Sequence, residues 1–235
     1  MRTSNSALLP LIAGTLQVLA QDSFSQINII VQSANFNLLF VSPNATLNNR
    51  PLGALHNGAA HEQLAIFDFA HNATDNFVNF QLNYTQTVCT VTNTTGTFTV
   101  PCQNAPAHPE RGPGLITWFE QYSDQNGPAE ASQAMALGFL PWTNVAIAQV
   151  SFAGETGIPS QVAFDDDCLM YINQYSDDTL EPAYEYLNTP VRLYRWYLCD
   201  TYYSGYTYPS LTWVVGKAEP QNPTCQAVNV TRVFT

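Results

Sequence analysis

The chain has 235 residues and a net charge of -11, with 46% hydrophobic but only 11% charged side chains. That apolar content suffices for a packed core and excludes an intrinsically disordered chain. The acidic balance repels phosphate backbones and anionic headgroups, so neither nucleic acid nor a membrane surface is an expected partner.

The first segment, residues 1–20, reads as a signal peptide. Arg2 supplies the positive start, Ala7 to Ala20 is apolar, and Val18-Leu19-Ala20 precedes a cut that leaves Gln21 as the new N-terminus. The run is too short to span a bilayer. The expected location is the secretory pathway, and residues 21–235 are expected to form one β domain. The sequons Asn44-Ala-Thr46, Asn72-Ala-Thr74, Asn83-Tyr-Thr85, Asn93-Thr-Thr95 and Asn229-Val-Thr231 are expected to carry N-linked glycans.

Beyond residue 20 the periodicity is that of strands. In chain order the runs are 26–32, 37–41, 64–69, 77–84, 87–92, 97–101, 115–120, 145–152, 168–173, 191–199, 211–216 and 227–234, all rich in Val, Ile, Tyr, Phe or Trp. Val78, Phe80, Leu82 and Tyr84 alternate with Asn79, Gln81 and Asn83, which predicts one apolar and one watered face. Val228, Val230 and Phe234 alternate similarly with Asn229 and Thr231. Residues 130–140 read as the one short helix, and 104–114 as a Pro- and Gly-rich loop. Short strands at regular spacing predict an all-β fold: an antiparallel sandwich or barrel with at most short helices.

The five cysteines divide by hairpin geometry. Cys89 and Cys102 flank a turn near 93–96, and Cys199 and Cys225 flank the last long hairpin, so each pair is expected to form a disulfide. Cys168 is left over, in an apolar run, and reads as a free thiol.

Conventional catalytic signatures are missing. There is no Gly-x-Ser-x-Gly elbow, no zincin helix, no phosphate loop and no dinucleotide fingerprint. Asp165-Asp166-Asp167 lacks EF-hand spacing and reads as an acidic turn, so no metal and no cofactor is expected. Of the histidines 56, 61, 71 and 108, His56 and His61 bracket a small-residue turn, where either could serve as acid or base. A carboxylate pair for hydrolytic work cannot be picked out without geometry. The densest aromatic stretch runs from Arg192 through Tyr194, Arg195, Trp196 and Tyr203 to Trp213. Two arginines alternating with aromatics on a strand suit a pocket for a planar or apolar ligand, and only one arginine can then face it.

Leu52-Gly-Ala-Leu-His56-Asn-Gly58-Ala-Ala60, with Trp196-Tyr-Leu-Cys199-Asp200, Leu211-Thr-Trp213, Pro223-Thr-Cys225 and Val228-Asn-Val230, resembles a family of small secreted fungal glycoproteins. Proteins of this general look include the hetero-Diels–Alderases of fungal tropolone–sesquiterpenoid pathways. The resemblance implies an intermolecular [4+2] cycloaddition of a tropolone quinone methide with a humulene-type sesquiterpene, small apolar and aromatic substrates needing neither metal nor cofactor. The expected roles are an oxygen-binding arginine (Arg192 or Arg195), a dehydrating acid (His61 or His56), and walls from Trp142, Tyr194, Trp196, Tyr203 and Trp213. Two other readings stand beside it: a secreted glycan- or lipid-binding wall protein, and an extracellular hydrolase. Monomer and homodimer both remain open.

Overall fold

The computed structural model describes residues 23–68, 76–93, 95–103, 105–141, 143–151, 159–180 and 186–235. Residues 1–20, expected to be a signal peptide, and His71, Asn72, Trp142 and the side chain of Asn93 lie outside the described residues.

Sixteen strands form among the described residues. The first six are β1 (Ser23–Gln32), β2 (Phe36–Val41), β3 (Leu52–Gly58), β4 (His61–Ile66), β5 (Gln81–Asn93) and β6 (Gly96–Pro101). Next come β7 (Gly114–Asp124), β8 (Gly127–Phe139), β9 (Val145–Ser151) and β10 (Gln161–Phe164). The last six are β11 (Met170–Ser176), β12 (Tyr186–Leu193), β13 (Trp196–Tyr203), β14 (Tyr206–Val214), β15 (Gln226–Ala227) and β16 (Asn229–Phe234). Fourteen of them make one curled antiparallel sheet, a half-barrel, while β2 and β16 pair separately. The fold is all-β, and its helical content among the described residues is two three-residue 3-10 turns, Asn76–Val78 and Pro109–Arg111.

The core forms where the inward faces of the sheet meet β2 and β16. Phe36, Leu38 and Phe40 on β2 are fully buried against Leu64, Leu82, Ile116 and Val230. Each such side chain contributes about 1.5–3 kcal/mol relative to staying exposed. Val78, Phe80, Leu82 and Tyr84 are all buried as expected, but 77–84 is not one strand: Val78 lies in the Asn76–Val78 turn and β5 begins at Gln81. On β16 the pattern is corrected. Phe234 is half exposed, and the inward position is Arg232, only 4% exposed, its guanidinium 4.2 Å from the Phe164 ring centre.

Residues 130–140 are strand, not helix. Ala-rich Glu130-Ala-Ser-Gln-Ala-Met-Ala-Leu favours a helix by propensity. Yet β7 and β9 offer open ladders on both sides, and β8 satisfies its backbone through them while burying Met135. Likewise, 191–199 is not one strand. β12 ends at Leu193 and β13 begins at Trp196, so Tyr194 and Arg195 make a corner. Strand alternation therefore does not carry across the two arginines.

Both expected disulfides are present, Cys89–Cys102 and Cys199–Cys225, and Cys168 is a free, half-buried thiol. No helix among the described residues is long and apolar enough to cross a membrane.

Candidate functional site

The corner at Tyr194–Arg195 separates the two arginines. Asn173 on β11 is opposite Arg192 on β12, which makes Tyr171 its diagonal neighbour. The Arg192 guanidinium accordingly lies over the Tyr171 ring, 5.1 Å from its centre. Arg195 turns elsewhere. Its Nη1 is 3.6 Å from Asp178 Oδ1, and both side chains are largely buried.

Arg192 and Tyr171 form one wall of a cleft of about 330 Å³. Phe164 lies in its lining, and His108, Arg111 and Asp166 complete the rim. Arg111 Nη1 donates to Asp166 Oδ1 at 3.0 Å, and His108 Nδ1 is 3.1 Å from Glu110 Oε1. Tyr194 stands beside the cleft, its ring centre 5.6 Å from that of Tyr171 and its hydroxyl donating to Asp165 Oδ2 at 2.8 Å. Burial, and then the Asp165 carboxylate, push the Tyr194 phenol above its ordinary pKa, while Arg192 opposes them.

The rim is fastened from behind. Arg232 Nη1 donates to the Glu110 carbonyl at 2.8 Å, tying β16 to the turn between His108 and Arg111. Thr231 Oγ1 donates to the Cys168 carbonyl at 3.1 Å, tying β16 to the acidic turn. That turn closes locally, since Asp165 Oδ1 accepts the backbone N–H groups of Asp167 and Leu169. Burial lowers the Arg232 pKa, although nearby Cys168 and Glu110 hold it up.

Several expected site residues lie elsewhere. Trp196 is fully buried, donates to the Met170 carbonyl at 2.9 Å and meets Trp213 edge to face at 4.8 Å. Both tryptophans are core, not cleft walls. Tyr203 is at the end of β13, opposite Tyr206 at the tip of the hairpin. His56 and His61 are on the β3–β4 hairpin, with His56 packed edge-on to Tyr206, and neither lines the cleft. Asn44 is exposed, whereas Asn83 and Asn229 are half-buried on strands. The outward placement expected for those two is only partial.

A second chemical feature was invisible in the linear pattern. Glu62 shares a face of β4 with core residues Leu64 and Ile66 and is 4% exposed. Gln133 on β8 is fully buried, and its Nε2 donates to Glu120 Oε2 on β7 at 2.8 Å. Gln133 also hydrogen-bonds Glu62, while Glu62 Oε2 and Gln133 Oε1 have no hydrogen-bond partner among the described residues. Burial, and then the Glu120 charge, raise the Glu62 carboxyl from 4.5 to about 7, and the Gln133 bond opposes them. Burial beside a second acidic group favours the proton-bearing form of Glu62. The one hint in the sequence is the polar Glu62 at the inward position of a strand.

Among the described residues, no group of three or more His, Cys, Asp or Glu side chains is placed to hold a metal. Comparison with family models, with curated proteins and with solved structures finds no match for this chain.

Proposed function

We propose that the chain is a hetero-Diels–Alderase acting on a tropolone quinone methide and a humulene-type alkene, with the Arg192 cleft as its site. The observation that carries this reading is the Arg192 guanidinium held over Tyr171 in a cleft edged by Arg111 and His108. A planar fork of N–H donors suits the adjacent oxygens of a tropolone. Exposed Tyr194 supplies aromatic surface beside the cleft, while Tyr171 and Phe164, 6% and 2% exposed, back it.

The chemistry needs positioning more than it needs a nucleophile. A quinone methide forms when a hydroxymethyl tropolone loses its hydroxyl as water and its ring O–H gives up a proton. His108, at the rim, is placed to protonate the leaving hydroxyl, a role that His56 and His61 are too far along the fold to fill. The C=C–C=O unit then joins the alkene, with one C–C and one C–O bond forming as the ring closes. Holding both partners together lowers the entropic part of the barrier. Arg192 donates to the oxygen on which charge builds, so its bonds strengthen toward the transition state.

The test is to mix purified protein with the two partners and compare the rate and stereochemical ratio with the spontaneous reaction. Acceleration that disappears in Arg192→Ala supports the reading. An unchanged rate and ratio with the native protein overturns it.

The Glu62–Glu120 pair favours a second reading, an extracellular hydrolase, because it sets two carboxyl groups on either side of Gln133, with the Glu62 pKa raised to about 7. Turnover of aryl glycosides that disappears in both Glu62→Gln and Glu120→Gln selects it, and no turnover by the native protein removes it.

A further inference from the structure

A separate cleft of about 360 Å³ opens where the β1–β2 connection, the 76–79 turn and the β7–β8 hairpin meet. Its lining is unusual: six amides, Gln32, Asn35, Asn76, Asn79, Gln81 and Gln121, with Phe119 and Glu130. Among the described residues no cation lines it, so nothing there favours a phosphate or sulfate ligand. Its single large apolar side chain excludes a lipid tail.

The amides are oriented by their own contacts. Gln81 Nε2 donates to Asn35 Oδ1 at 2.7 Å, Asn76 Nδ2 donates to the Phe119 carbonyl at 2.8 Å, and Gln121 Nε2 donates to Glu130 Oε2 at 2.8 Å. Two acceptors are left over. Asn79 Oδ1 and Gln81 Oε1 are shielded from water and have no hydrogen-bond partner among the described residues. A shielded amide oxygen without a donor costs about 1–3 kcal/mol, and it meets a ligand hydroxyl once its side chain turns toward the cleft. An amide presents a donor and an acceptor side by side, and neighbouring hydroxyls on a sugar ring present the matching pair. Phe119 supplies the flat surface against which the C–H face of a sugar lies. The cleft is of the size that small-molecule sites occupy.

We infer that this cleft is a carbohydrate-binding site for a neutral sugar, independent of the Arg192 cleft. Two sources offer that chemistry. One is a free oligosaccharide. The other is a glycan on the chain itself: Asn83 begins a sequon and is two residues from Gln81, on the same face of β5.

The experiment titrates chitotriose and mannotriose into three preparations by calorimetry: glycosylated protein, enzymatically deglycosylated protein, and Asn83→Gln. Binding to all three supports a site for free sugar. Binding that emerges only when the Asn83 glycan is removed supports a site filled by the chain's own sugar. In either case Gln81→Leu and Glu130→Ala should each weaken binding about tenfold, the effect of one lost hydrogen bond. Glu130 is exposed, so its variant keeps the fold even if Gln81→Leu does not. No binding to any preparation, or binding unaltered in folded Glu130→Ala and Phe119→Ala, overturns the inference.

Discussion

The two clefts are of similar volume, yet they are built from opposite materials. The Arg192 cleft gathers Arg111, Arg192, His108, Asp165 and Asp166 around aromatic rings. The other gathers six amides around one phenylalanine, with Glu130 as the only charge among its described lining residues. Charge-assisted donors hold planar, electron-rich oxygens and strengthen as charge develops on them. Neutral amides hold hydroxyls, and they do so equally in ground and transition states. The first arrangement suits catalysis and the second suits recognition.

The largest expected effect tests whether the aromatic strand was read correctly as core. Trp196→Ala should cost about 3–5 kcal/mol of stability, as expected for a fully buried tryptophan. Denaturant unfolding measures it. A loss under 1 kcal/mol would return Trp196 to the cleft-wall role.

Arg192→Ala should separate the clefts. It removes about 2–4 kcal/mol of transition-state stabilisation, the scale of one oxyanion donor. It should leave both the midpoint of unfolding and sugar binding unchanged. Single-turnover rates with the two partners, set beside calorimetry with chitotriose, give both readouts. Loss of sugar binding as well would show that the clefts are not independent.

Glu62 belongs to neither cleft and so separates stability from binding. Its folded carboxyl holds a proton to about pH 7, whereas the unfolded one releases it near 4.5. The folded state therefore binds the extra proton between these values. Stability from this group is full below pH 4.5, falls as pH rises to 7, and is level above that. The expected loss is about 2–3 kcal/mol between pH 4.5 and 8. Glu62→Gln should flatten this part of the profile while sparing both clefts. Unfolding at a series of pH values checks it, and an equal decline in the variant would assign the effect to other groups.

The smallest effect is ionic. Raising salt should weaken a tropolone at the Arg192 cleft by a few tenths of a kcal/mol, because Arg111 and Arg192 lie at the screened rim. Sugar binding at the amide cleft should not respond. Titrations at two salt concentrations decide it.

Much of the fold was legible because strand periodicity is local. The stretch from Val78 to Tyr84, the Cys89–Cys102 disulfide and the all-β class each depend on neighbours along the chain or across one turn, whereas Cys225 reaches Cys199 beside β15, on the edge of β13 away from β14. What misled was also local. Residues 130–140 carry helix-forming side chains, and only the flanking ladders of β7 and β9 make them a strand. An unbroken run from Arg192 to Trp196 hid a corner that sends the two arginines to different neighbours.

The sites were legible only in pieces. Arg192 and Tyr194 stood out by type, and the amides at 76, 79 and 81 are visible as a cluster once one looks for them. Their partners were not, because Arg111 and Asp166 are 55 residues apart and Glu62 and Glu120 are farther. The sequence by itself determined the inward face of runs such as Phe80, Leu82 and Tyr84, since alternation along a strand reaches only two positions. Tertiary structure alone decided which polar groups meet, because that depends on how distant strands register in the curled sheet. No repeat in the linear chain encodes the separation between a carboxylate on β4 and another on β7.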